Sequence, residues 1–62
     1  MNKLEEIRKN KRMTVSELSR KSGISRQTIK RLETEELECA NAKTLKALAD
    51  ALEVKIYEFF SE

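Results

Sequence analysis

The chain has 62 residues, with one glycine, no proline, no histidine and one cysteine, and 39% of it is charged. A chain this short buries only about 60% of the surface it exposes when unfolded, so residues 1–62 are expected to form one domain with one small core and no separate sensor domain. No apolar run approaches the roughly 20 residues that span a bilayer, the charged stretch 1–12 is not the pattern of a secretory leader, and a lone cysteine makes no internal disulfide, which together fit a cytoplasmic protein.

The net charge of +2 hides a division along the chain. Residues 1–32 carry ten lysines and arginines against three glutamates, and residues 33–62 carry three lysines against eight acidic residues, so the halves stand at +7 and −5. A basic half points to a polyanionic partner. With so little glycine and proline, strands and hairpins have few turn signals. Helical periodicity is visible instead, over five short helices. Helix 1 is predicted over 3–11, with Asn2 as cap, Glu5 closing a capping box, and Leu4 and Ile7 facing inward. Helix 2 is predicted over 15–21, with Thr14 and Glu17 as a second capping box and Leu18 inward; Ser19 is small enough to let another helix come close. Gly23 takes a left-handed conformation without a Cβ penalty and ends this helix at once.

Ser25 caps helix 3, predicted over 26–34. Ile24, Thr28, Ile29 and Leu32 fall on one side of it, and Arg26, Gln27, Lys30 and Arg31 on the other. Residues 34–40 show no stripe and are expected to be a loop. Asn41 caps helix 4 over 42–52, with Leu45, Leu48, Ala49 and Leu52 at helical spacing. Val54, Ile56, Phe59 and Phe60 form a last apolar segment, expected to be a short fifth helix.

Two short helices joined at a sharp turn, about 15–34, present one outward face of cations and an amide. That arrangement suits the major groove of a duplex. Gln27 matches the N6 and N7 of adenine, and Arg26 or Arg31 the O6 and N7 of guanine; Lys30 lies beside them. The open amides near Thr14 and Ser25 suit phosphates, although capping alone explains both residues equally well. Thr28 either holds a phosphate through its hydroxyl or packs its methyl inward. Arg12, Arg20 and Lys11 are candidate backbone clamps. The apolar tail exceeds what a short helix needs for its own core; either all of it closes the core, or, as expected here, Tyr57 and Phe59 sit at a two-fold contact of a homodimer. With one cysteine and no histidine a metal site is not expected, since zinc sites usually draw on several such ligands. No histidine is present to act as a base, the glutamates of the acidic loop have no pocket to raise a pKa, and no glycine-rich phosphate loop occurs, so no catalytic residues, no cofactor and no small-molecule ligand are assigned.

The pattern Thr14-x-x-Glu17-Leu18, the small Ser19, Gly23-Ile24-Ser25, Ile29, Leu32-Glu33 and the tail Leu45/Leu48-Ala49/Leu52/Val54/Phe60 resembles the lambda-repressor-like, or Cro/repressor (XRE-type), helix-turn-helix family over nearly the whole chain. The resemblance implies an all-α, compact five-helix domain that binds operator DNA as a dimer, with Arg26, Gln27, Lys30 and Arg31 toward the bases. It also implies a structural ion pair between Arg8 and Glu33, linking helix 1 to the end of helix 3. Val15 stands where such proteins often carry a glutamine, Arg12 where a glycine usually follows helix 1, and Lys55 where a serine often caps helix 5. The loop Glu35-Glu36-Leu37-Glu38 replaces one that is commonly basic, and glutamates near a phosphate backbone repel it. The expected function is a sequence-specific transcriptional regulator, acting as a repressor by occupying double-stranded operator DNA. The alternative is a protein-interaction module or antitoxin-like regulator on the same fold, with weak or lost DNA binding.

Overall fold

Among the residues described by the computed structural model, 2–35 and 37–61, four α-helices follow one another: α1 Leu4–Asn10, α2 Val15–Ser22, α3 Arg26–Thr34 and α4 Ala42–Leu52. Two 3-10 turns, Leu37–Cys39 and Ile56–Phe59, supply the remaining helical backbone of these residues. No helix of the described residues is long and apolar enough to cross a membrane.

Local chemistry accounts for most of the boundaries. Thr14 is extended (φ −81°, ψ 164°), and its hydroxyl accepts from the Glu17 amide at 3.1 Å while the Glu17 carboxylate accepts from the Thr14 amide at 3.0 Å. These two bonds satisfy donors that the first turn of α2 leaves open. The Glu17 carboxyl is held below its ordinary value, by the Thr14 amide first and the Thr14 hydroxyl second. Because the folded value is lowered, the cap's contribution is present above the ordinary glutamate range and is lost as pH falls through the folded value. The melting temperature of the wild type is therefore expected to exceed that of Glu17→Gln at neutral pH. The gap should close in acid, as measured by paired melts across pH.

Gly23 ends α2 at φ 77°, with its amide donating to the Ser19 carbonyl at 2.9 Å. A Cβ built on Gly23 meets nothing within 4 Å, so only the backbone conformation demands glycine there. Gly23→Ala is expected to cost about 1–2 kcal/mol, the penalty of a left-handed backbone carrying a side chain, read from denaturant unfolding. Ser25 and Asn41 cap α3 and α4, accepting from the Thr28 amide at 3.2 Å and the Thr44 amide at 2.8 Å. Two residues with side chains also take positive φ: Arg12 after α1 (57°) and Glu53 after α4 (59°).

The start of α1 differs from the expected capping box. Lys3 occupies the cap position without a side-chain bond, and Asn2 stands one residue further out, where its carbonyl oxygen accepts from the Leu4 amide at 3.0 Å. The Asn2 amide instead donates to the Leu32 and Glu35 carbonyls at 2.9 and 3.1 Å, closing the C-terminal end of α3. Lys3 donates through its backbone to the Phe59 carbonyl at 2.9 Å, so the start of the chain fastens both α3 and the last turn.

The core comprises Leu4, Leu18, Ile29, Leu32, Leu37, Leu48, Ala49, Leu52 and Phe59. Each large side chain among them contributes about 1.5–3 kcal/mol by leaving water. The recognisable stripes of α2, α3 and α4 meet there: α2 packs on both α3 and α4, α1 lies on α3, and the last turn lies on α4.

Three expectations are corrected. The segment 34–40 is not wholly irregular: its 3-10 turn sends Leu37 into the core, fully buried. The fifth helix is a single 3-10 turn, Ile56–Phe59, so the described residues form four α-helices. Its few residues close i to i+3 bonds, Glu58 to Lys55 at 3.0 Å and Phe60 to Tyr57 at 3.1 Å, and short pieces of this kind favour 3-10 over α geometry. Three residues per turn eclipse positions three apart. Phe59 therefore points inward with half-buried Ile56 and is wholly enclosed, whereas Tyr57 and Phe60 point outward, 70% and 38% exposed. Phe59 is thus a core residue and offers no surface to a second copy; it touches Phe60 edge-on, with ring centroids 6.5 Å apart.

Candidate nucleic-acid interface

Burial of Ile29 and Leu32 sets the rotation of α3. At about 100° per residue, that choice turns positions 26, 27, 30 and 31 away from the core. Arg26, Gln27, Lys30 and Arg31 are all exposed. Four long polar side chains thus share one face of a nine-residue helix, held by an opposite face that cannot rotate without exposing the core.

The N-terminal ends of α2 and α3 converge on this face. Between them lies a cleft of about 650 Å³, bordered by Thr14, Ser16, Ser25, Arg26, Gln27 and Lys30. An Arg26 Nη1 donates to the Ser16 hydroxyl at 3.3 Å across the cleft. The caps place Thr14 and Ser25 at the two helix starts, where unpaired backbone amides and the helix dipole favour an anion. The Ser25 hydroxyl also donates to the Thr28 hydroxyl at 2.9 Å.

Not every candidate side chain borders this cleft. Thr28 is half-buried and lines a second hollow of about 330 Å³, shared with Arg31, Glu35, Cys39, Asn41 and Thr44, on the flank of α3 that faces the start of α4. Arg20 is exposed in the last turn of α2. Arg12 is exposed in the turn that leads into Thr14. Ser16, Asn41 and Thr44 border these hollows without having been singled out as contacts. Ser16 carries no signal in the apolar period, since its partner is ten residues away. Glu35 and Glu38 are exposed, and Cys39 is exposed beside them; Glu36 lies outside the described residues. No group of three or more potential metal-ligating side chains occurs among the described residues.

Behind the face, Arg8 and Glu33 form a nearly buried ion pair, their side chains 9% and 6% exposed. Arg8 Nε donates to Glu33 Oε2 at 2.6 Å, Nη2 donates to Oε1 at 3.3 Å, and Nη1 donates to the Met13 carbonyl at 2.8 Å. One guanidinium therefore ties α1, the turn carrying Arg12, and the C-terminal part of α3. The hydrogen bond to Glu33 raises the Arg8 pKa, against the opposing effect of burial. Arg8 therefore stays a cation throughout the working range of pH.

A family model described as the Cro/C1-type HTH DNA-binding domain matches residues 3–61. No curated protein and no solved structure matches the chain significantly.

Proposed function

Because the chain belongs to the Cro/C1-type helix-turn-helix DNA-binding family, we propose that it is a sequence-specific regulator that lays α3 in the major groove of an operator and represses by occupying it. The observation that carries this reading is the shared exposure of Arg26, Gln27, Lys30 and Arg31 on the side of α3 opposite Ile29 and Leu32. Gln27 reads adenine, and Arg26 and Arg31 read guanine, each good bidentate pair discriminating by about 1–3 kcal/mol. Lys30 supports them. Thr14, Ser25, Thr28, Arg12 and Arg20 meet phosphates and set the register.

The domain measures 25 × 21 × 19 Å, which is shorter than the roughly 34 Å between half-sites on one face of a duplex. One copy therefore covers one half-site, and a two-fold homodimer built on the exposed Tyr57 reads a palindrome. Cytoplasmic residence follows from the same role.

Selection from randomised duplexes, followed by titration across salt, tests the proposal. A palindromic winner with affinity that falls steeply as salt rises supports it. Absence of binding at every salt concentration would favour a protein-interaction module on the same fold, with Glu35 and Glu38 on its contact surface.

Arg12 provides a separate check. Its positive φ is a conformation that glycine adopts at lower cost. Arg12→Gly is expected to raise stability by up to about 1 kcal/mol, the strain relief less the added entropy of the unfolded glycine. It should also weaken DNA binding on all sequences and lower the salt slope by about one. Glu53→Gly relieves the same backbone strain at the end of α4 and should leave DNA binding unchanged.

A further inference from the structure

We propose that Ser16 is a positioning residue for Arg26, fixing the arginine's guanidinium in the plane that selects guanine; this rests on the base-reading role of α3 given above. Arg26 opens α3 and is exposed, with a long flexible stem that by itself defines no plane. Among the described residues its one hydrogen-bond partner is the Ser16 hydroxyl, 3.3 Å away in the first turn of α2. The neighbour Val15 cannot do this work: its side chain has no polar atom, and part of it packs against the core. Val15 is half-buried and borders the cleft with an apolar side chain, while Ser16 is exposed on the rim between the two helix starts.

The bond engages Nη1 alone. The guanidinium carries five N–H donors in a rigid fork. With Nη1 held by Ser16, the Nε and Nη2 edge stays open, and its two parallel donors match the O6 and N7 of guanine. The anchor and the reading edge are different edges of one rigid planar group. Tilting α2 relative to α3 would therefore tilt the reading edge, which makes base preference depend on how the two helices pack.

The test has two arms. In the free protein, relaxation of the Arg26 Nε–Hε group by NMR is expected to show loosening in Ser16→Ala and retention of order in Ser16→Thr, which keeps the hydroxyl. Equal mobility in all three proteins would overturn the proposal whatever the DNA result. In the second arm, Ser16→Ala is combined with Arg26→Ala, and binding is measured to the duplex selected by the wild type. The serine change is expected to lower affinity roughly three- to tenfold in the wild-type background and to have no effect once Arg26 is gone. Equal losses in both backgrounds would show that Ser16 meets the duplex itself and overturn the positioning role; no loss in either would overturn it as well. If no duplex is selected by the wild type, the DNA-reading proposal fails on its own, and the NMR arm still decides whether Ser16 orders Arg26.

Discussion

Glu33→Ala is expected to remove about 3–5 kcal/mol of folding free energy, because it strands the Arg8 cation in a nearly closed site. A domain of this length has roughly 3–9 kcal/mol in total, so the variant should be largely unfolded at physiological temperature, as seen by circular dichroism and denaturant titration. The size of the loss follows from what the remaining charge faces. Its carboxylate partner supplied two hydrogen bonds, and water reaches the site poorly. Replacing both partners with apolar side chains, as in Arg8→Met with Glu33→Met, should recover most of the stability, since a buried ion pair is often no better than a packed apolar one. Recovery should stop short of the wild type, because the Met13 carbonyl also loses its donor. A single variant that melts like the wild type would show that the pair does not hold α1 to α3.

The second large effect concerns reading rather than folding. Gln27→Ala is expected to weaken binding to the selected duplex by roughly five- to a hundredfold and to relax preference at one base pair. Binding to mixed-sequence DNA and its salt slope should stay nearly unchanged, since a neutral amide releases no counterion. Gln27 is exposed on α3 and takes no part in its caps, so the melting temperature should hold. A loss of equal size on every sequence would assign Gln27 to the backbone instead.

Most helix boundaries were legible because they are set by neighbours in the chain. Thr14 with Glu17, Gly23, Ser25 and Asn41 act within four residues, and each occupies the boundary its chemistry suggests. The rotation of α3 was legible too, since Ile29 and Leu32 leave one low-energy way to face the core. Asn2 acts both locally, on the Leu4 amide, and at a distance, its own amide bridging to carbonyls 30 and 33 residues away that no local pattern marks. Leu37 sits alone among glutamates, so no period marks it, yet it is fully buried. Positive φ at Arg12 and Glu53 likewise has no local signature, because neither is a residue that prefers that conformation.

By itself, the order of residues determined the helical class, the tight turn at Gly23 and the division of α3 into an apolar face and a cationic, amide-bearing face. These depend on backbone conformation and on contacts within about one helical turn. Only the tertiary structure decided which aromatic of the tail faces inward, where the Asn2 amide is satisfied, and that Ser16 reaches Arg26. In each case the deciding partner lies on another element, and its distance and direction exist only once the core has closed.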